Sequence, residues 1–405
     1  MAKLKVMTVV GTRPEIIRLS ATIKALDRHT DHVLVHTGQN YDYELNQVFF
    51  EDLGLRGPDH YLEADTSSLG ASIGSMIGKI EPVLLSEQPD AFLVLGDTNS
   101  CLCAIMAKRL HIPVFHMEAG NRSFDENVPE ETNRRIIDHT ADYNLAYTEH
   151  ARRNLLAEGL HPSRIIVTGS PMNEVLAQNR GQIEASDVVA RLGLESGGYF
   201  LVSLHREENV DYPDRLEAAV ATLQALRAAY GLPVLVSTHP RTRRRLEAVP
   251  EDARDGIVFH PPFGFHDYVK LQCEARLVLS DSGTIAEEAS LLGFRAVTLR
   301  DFIERPEALD TGSIITSGIG VSSVLSAVDL ALAGPVPTLP ADYIISNTAW
   351  RVVTFIVGTA YSHQRRLGLF CDCPAGGCSR FDGATGPEED RSRCERGLGD
   401  SDHAR

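Results

Sequence analysis

The sequence predicts an α/β protein built from two doubly wound parallel-sheet domains, and three observations predict it. Short, continuous apolar runs rich in β-branched residues alternate with longer helical patterns, as expected of strands covered by helices on both faces. The alternation runs once, pauses near residues 170–180, and restarts. The chain has 405 residues, too many for one ordinary core and enough for two.

The elements follow in order. "LKVMTVV" (4–10), "HVLVHTG" (32–38), "AFLVLGD" (91–97), "IPVFHME" (112–118), "YNLAYT" (143–148) and "RIIVTG" (164–169) read as the first set of strands. "TNSCLCAIMAKRL" (98–110) reads as one of the helices between them. The second set is "YFLVSLH" (199–205), "LPVLVSTH" (232–239), "GIVFH" (256–260), "ARLVLSD" (275–281) and "FRAVTLR" (294–300). The chain thus divides into a first domain over 1–172, a second over 173–345 and a closing helical segment over 346–365. Residues 366–405 are rich in Gly, Ser, Asp and Arg and almost empty of aliphatics. Such a composition cannot bury enough apolar area to fold alone and predicts a disordered tail.

Composition excludes several classes. No apolar run approaches the roughly 18–20 residues that cross a bilayer. The opening "MAKLKVMTVVGTRPE" has the lysines and apolar run of a signal peptide, but the run ends in Arg and Glu with no small-residue cleavage site. It reads as a first strand, and the protein as cytoplasmic and not membrane-bound. A net charge of -16 repels nucleic acid and anionic lipid, while local positive charge still admits a small anion. Of the seven cysteines, Cys101, Cys103 and Cys273 lie in apolar elements and read as packing thiols. The tail's "CDCPAGGC" has no histidine beside it and no fourth ligand at a standard interval, so no metal site is expected.

In open parallel sheets, ligands bind beyond the carboxyl ends of the strands, so the residues after each strand carry the chemistry. "GTRPEII" (11–17) offers a tight turn at Gly11, a helix start at Pro14 and an anion contact from Arg13. "GDTNS" (96–100) puts Asp97 at the cleft rim, where an ordinary helix cap would also suit it. "MEAGNRSFDENVPEETNRRIIDH" (117–139) places Glu118 at a strand end and opens a helix at Pro129. Glu130 and Arg134, four residues apart, are expected to pair on one helix face. A solvated helix explains Arg135 and Asp138, but not an idle carboxylate at Glu118. In the second domain, "SLHREEN" supplies His205 and Arg206, and "STHPRTRRR" supplies His239 and Arg241, with Arg243 to Arg245 as a basic face. "SDSGTIAEEA" forms a phosphate cradle at Ser282, Gly283 and Thr284, and Glu287 or Glu288 is placed to reach a ribose diol. "RDFIERPEA" adds Arg305. Carboxylates on one wall and an anion site on the other describe a nucleotide-sugar enzyme.

"GTRPE", "GDTNS", "MEAGNR", "PEETNRRIIDH", "HREEN", "DSGTIAEEA" and "ERPEA", in this order over residues 4–365, resemble the non-hydrolysing UDP-N-acetylglucosamine 2-epimerases. The resemblance implies the GT-B architecture of two Rossmann-like domains, with a C-terminal helix crossing back to the first. It implies a UDP-sugar substrate, no cofactor, no metal and a homodimer. It also implies a reaction in which UDP and the C2 proton leave together, giving a 2-acetamidoglycal to which UDP re-adds with the proton on the other face. By motif position, Asp97, Glu118 and Glu130 match the acid/base carboxylates, and His205 the histidine near the pyrophosphate. Arg13, Ser282, Gly283, Thr284 and Arg305 match UDP and cleft contacts, and Glu288 the ribose ligand. Which carboxylate removes the proton and which returns it stays open.

The sequence departs from the common pattern in three places. Arg18 stands where lysine is usual, which keeps the charge but withdraws a proton donor. "NYDYELN" follows Gln39, in a region that common members use for activation by their own substrate. The loop from Glu118 to Glu130 is shorter. "HTGQNYDYELNQVFFEDLG", "FDENVPEE" and "FGFHDYVKLQ" are similar to the subgroup that forms UDP-N-acetyl-L-fucosamine from UDP-2-acetamido-2,6-dideoxy-L-talose for surface polysaccharides. UDP-GlcNAc to UDP-ManNAc is the other substrate reading. The rivals are a GT-B glycosyltransferase, a hydrolysing epimerase and a non-catalytic nucleotide-sugar sensor. Deleting residues 370–405 is expected to leave turnover intact, checked by steady-state kinetics of the shortened chain.

Overall fold

The computed structural model describes residues 3–39, 43–125, 128–238, 240–246, 249–250 and 254–363. The C-terminal stretch read as a disordered tail lies outside them, as does His239.

Two parallel sheets form the frame. The first contains β1 (Lys5–Val10), β2 (Asp31–His36), β3 (His60–Tyr61), β4 (Ala91–Leu95), β5 (Val114–Met117), β6 (Tyr143–Ala146) and β7 (Ile165–Val167), in the order β3-β2-β1-β4-β5-β6-β7. The second contains β8 (Phe200–Leu204), β9 (Val234–Thr238), β10 (Ile257–His260), β11 (Leu277–Ser280), β12 (Ala296–Thr298) and β13 (Ile315–Thr316), in the order β10-β9-β8-β11-β12-β13. Both are doubly wound, GT-B-like halves. All six expected strands of the first half and all five of the second are present. The two-residue edge strands β3 and β13 are additions that no apolar run announced.

Alternation within the strands places each sheet between two cores. On β1, Val6 and Val10 face one core while Met7 and Val9 face the other. On β8, Phe200, Val202 and Leu204 face one core and Leu201 the opposite one. The segment 98–110 does not begin as the expected α-helix. Asn99–Cys103 is a 3-10 turn, and the α-helix starts at Ala104. Ser100, Cys101, Leu102 and Cys103 are all buried in this tighter winding behind Asp97. Cys101 and Cys103 are buried as expected, whereas Cys273 is exposed.

Chain order reverses direction between β1 and β4 and between β8 and β11. At such switch points the loops beyond the carboxyl ends splay apart and leave a crevice. The loops there are those after "MTVV", "FLVL", "LVSL" and "LVLS", which carry Arg13, Asp97, His205 and Ser282. The two crevices face one another.

The helix Thr348–Ala360 buries Ala349, Val352, Val353, Ile356 and Ala360 in the same core as Ile16, Leu19 and Ile23 of the helix Arg13–His29. Its start is fixed by Thr348 Oγ1 donating to the Ser170 carbonyl (2.9 Å) and by the Ala349 N–H donating to Glu174 (2.9 Å). The helix Met172–Ala185 adds Met172, Val175 and Leu176 to that core. Ile356→Ala is expected to destabilise the protein by about 2–5 kcal/mol, read as a lower denaturant midpoint, because it opens a cavity in a closed core.

Candidate active site

The cleft between the domains has two joined compartments. One is lined by Arg13, Phe49, Phe263, Tyr268, Ser282 and Glu288, among others. The other, of about 1040 Å³, is lined by Asp97, Glu118, Glu130, Arg134, Arg206 and Arg305. Pro14, Arg18, His205, Ser282 and Thr284 line both.

Glu118 follows β5 directly and has φ +66°, the left-handed region that costs a β-carbon residue energy. Its backbone is held by a buried network. His116 on β5 donates from Nε2 to the Gly96 carbonyl (2.8 Å) and meets Asp138 through Nδ1 (2.9 Å). Asp138 also accepts from the Gly120 N–H (3.1 Å) and from Arg122 (2.7 Å), and Arg122 reaches on to Glu158 at 2.7 Å. Gly120 is required: φ is +84°, and a Cβ would lie 2.3 Å from the Ala151 carbonyl oxygen. The Asp97 and Glu118 loops are therefore tied through one histidine.

Arginines dress the carboxylates. Glu118 pairs with Arg18 from its own domain and with Arg305 from the other, at 3.0 Å. Asp97 pairs with Arg134 at 2.5 Å. The expected Glu130–Arg134 pair does not form. Arg134 instead takes Asp97, Glu131 (3.1 Å) and, across the cleft, Glu304 (3.2 Å). Buried Glu131 and Glu304 and half-buried Asp97 outbid the less enclosed Glu130 for its guanidinium, because a desolvated charge needs its counter-ion most. Glu130 points toward Arg206 at 3.8 Å. Burial lifts the Glu130 carboxyl above its ordinary pKa, and Asp97 adds to this against the pull of Arg206. Burial works against ionisation of Glu304 too, but Arg134, Arg300 and Arg206 outweigh it and hold that carboxyl far below its ordinary range.

On the second wall, Asp281 holds His205. The carboxylate accepts from the backbone N–H of His205 (3.0 Å) and of Arg206 (3.0 Å), and meets His205 Nδ1 at 2.9 Å. The imidazole's Nε2 is left for the cleft. Ser282 and Thr284 hydroxyls bond one another at 2.9 Å at the start of the helix Ile285–Leu292, and the Gly283 N–H has no partner among the described residues. Arg13 stacks 5.4 Å from the Phe49 ring and has no carboxylate within ion-pair distance among the described residues. Burial lowers its pKa, the mark of a cation lacking a counter-charge. Glu288 faces the first compartment, held by Gln272 at 2.6 Å, but Glu287 turns away into the protein. Of the two acids expected near a ribose, only Glu288 faces the cleft.

The structure thus gathers Asp97, Glu118, Glu130, Arg18, Arg134, His205, Arg206, Ser282, Gly283, Thr284 and Arg305 around one compartment, and Arg13 and Glu288 in the other. His239 lies outside the described residues. Four supporting acids were not singled out from the sequence. Asp281 and Glu304 each adjoin a motif residue, a signal that was available. Glu15 likewise lies within the GTRPE motif, whereas Asp138 gave none, since a carboxylate on a charged helix reads as solvated. Glu15 is buried and accepts from the Gly11 N–H (3.0 Å), Thr12 (2.8 Å) and Ser100, which locks the β1 loop to the β4 loop.

Two facing Rossmann-like crevices, one wall acidic and the other built for an anion, define a two-domain α/β enzyme of nucleotide-sugar chemistry. The chain belongs to the UDP-N-acetylglucosamine 2-epimerase family, whose profile matches residues 24–357. The solved UDP-N-acetylglucosamine 2-epimerase of Rickettsia bellii is 46% identical, superposes with a TM-score of 0.86 and covers 91% of this chain and 100% of its own. The Methanocaldococcus jannaschii UDP-GlcNAc 2-epimerase, solved with UDP-GlcNAc and UDP, is 36% identical with a TM-score of 0.83, over 88% of this chain and 100% of its own. A UDP-2,3-diacetamido-2,3-dideoxy-D-glucuronate 2-epimerase of Pseudomonas aeruginosa is 34% identical over 81% of this chain and 92% of its own. The family consists of isomerases. No helix among the described residues is long and apolar enough to cross a membrane.

Asp138→Ala is expected to cost about 3–5 kcal/mol of stability, since it leaves buried Arg122 with Glu158 as its remaining counter-ion and deprives His116 and the Gly120 N–H of their acceptor. Thermal or denaturant unfolding of the variant checks this.

Proposed function

We propose that this chain is a non-hydrolysing 2-epimerase of a UDP-linked 2-acetamido sugar. One observation carries the reading: Asp97, Glu118 and Glu130 share a compartment whose opposite wall offers Arg206, Arg305, His205 and the Ser282–Thr284 turn. A glycosyltransferase needs an acceptor and at most one base, and three convergent carboxylates exceed that need.

The chemistry then has a place for each group. A carboxylate takes the weakly acidic C2 proton, the C–H electron pair forms the C1–C2 double bond, and the C1–O pair leaves with UDP. UDP departs as an anion, which Arg13, the Gly283 N–H and the helix start at Ile285 would stabilise. The glycal stays enclosed while UDP re-adds and a second carboxyl returns a proton to the other face of C2. Atoms and electrons balance without an oxidant. We assign proton removal to Glu118, which lines the compartment between Arg18 and Arg305. Proton return falls to Glu130, whose environment favours its neutral form.

The substrate reading is UDP-2-acetamido-2,6-dideoxy-L-talose, supported by the stretches similar to that subgroup. UDP-GlcNAc is the second reading, supported by the likeness to the Rickettsia bellii and Methanocaldococcus jannaschii enzymes. The third acts on a different sugar, so likeness at this level spans substrates. As in the resembled family, a homodimer in the cytoplasm that serves surface polysaccharide synthesis completes the proposal.

An NMR time course in D2O tests it. Deuterium entering C2 as the C2 epimer appears is the expected result, with faster turnover of the talose sugar than of UDP-GlcNAc. No exchange on either sugar would remove the epimerase reading. Glu118→Gln is expected to abolish turnover while UDP affinity stays near normal. Arg13→Ala should weaken UDP binding by about 1.5–3 kcal/mol, the worth of a charge-assisted contact, measured by calorimetry.

A further inference from the structure

Glu287 is a buried acid behind the cleft to which the proposed reaction assigns no task. It sits in the first turn of the helix Ile285–Leu292, fully buried. Glu287 Oε2 lies 3.5 Å from Arg305 Nη2, and that same nitrogen donates to Glu118 Oε1 at 3.0 Å. Neither Glu287 oxygen accepts a hydrogen bond among the described residues. One buried guanidinium nitrogen is therefore shared by two carboxylates from opposite domains, with Arg18 on the far side of Glu118.

The consequence is electrostatic. Arg305 is 2% exposed and has no water shell to spread its charge into. Ionised Glu287 draws part of that charge toward the second domain. Neutral Glu287 releases it, and Arg305 then leans more heavily on Glu118. A Glu118 carboxylate neutralised by two undivided arginines is a poor acceptor for a carbon-bound proton.

We propose that Glu287 is a positioning residue for the 2-epimerase reaction, holding Arg305 across the cleft so that Glu118 shares this guanidinium rather than monopolising it. The inference rests on the function proposed above. Burial raises Glu287 to about 7, against the pull of Arg305 and Arg18, and the negative charges of Glu118 and Glu307 raise it further. Tyr147 and Tyr343 complete the groups that face it. Glu287 is thus neutral below neutrality and ionised above it, and kcat should rise with pH through that range.

The test compares pH profiles of kcat and KM for wild type, Glu287→Gln and Glu287→Asp. Glu287→Gln keeps the shape but never ionises. It should lose the rise and stay at the low-pH level, about tenfold below wild type at pH 8, with KM nearly unchanged. Glu287→Asp should recover part of kcat, with the ionisation at an altered pH. A residue that merely props the fold would lower thermal stability and leave the profile in place. A profile identical to wild type in either variant overturns the proposal. A double-mutant cycle of Glu118→Gln and Glu287→Gln on unfolding gives a readout free of turnover. The two carboxylates share Arg305, so losing both should cost more than the sum of the single losses. Additivity there overturns the sharing. Absence of C2 exchange in wild type would instead overturn the epimerase reading, and the cycle would still decide the sharing.

Discussion

Glu118 is held between two arginines that come from opposite walls of the cleft, Arg18 below it and Arg305 across from it. The rest of the site is arranged so that this cluster can stay buried. A carboxylate removed from water is stable only when compensated, and breaking a buried pair costs far more than making it gains. The cross-cleft contact makes that compensation conditional on the two domains meeting. Arg134 to Glu304 and Arg206 to Glu130 repeat the device. Domain apposition and the electrostatics of the acidic wall are one property seen twice.

The backbone beneath Glu118 answers to the same constraint. A left-handed residue at a strand end persists only where its surroundings over-determine it. Here His116, Asp138, Arg122 and the close-packed Gly120 supply that determination from three directions. Glu15 does the equivalent for the β1 and β4 loops. Both supports are buried carboxylates on helices that follow the strands, Glu15 on Arg13–His29 and Asp138 on Pro129–Thr140.

The strands, their parallel pairing and the restart of the pattern were legible in the sequence, because a strand buried on both faces must be apolar at every position. "MTVV" and "FLVL" could hardly be anything else. The cleft residues were legible for a related reason: each polar motif follows such a strand, and the doubly wound order sends every strand end to the same edge. The 3-10 winding at Asn99–Cys103 and the edge strands β3 and β13 were not legible, since short elements carry too few residues to show a period.

What the sequence determined by itself was therefore composition along the chain: where the main strands run, which loops carry acid or base, and which family the motifs belong to. What only the tertiary structure decided was partnership. Arg134 is four residues from Glu130 and pairs elsewhere. Glu287 and Glu288 are adjacent, yet Glu288 faces the cleft and Glu287 a buried arginine. Asp138 reads as one more charge on a polar helix and is an anchor of the site. Coulomb energy depends on distance and burial, and neither is written in sequence spacing once residues from separate elements compete for the same charge.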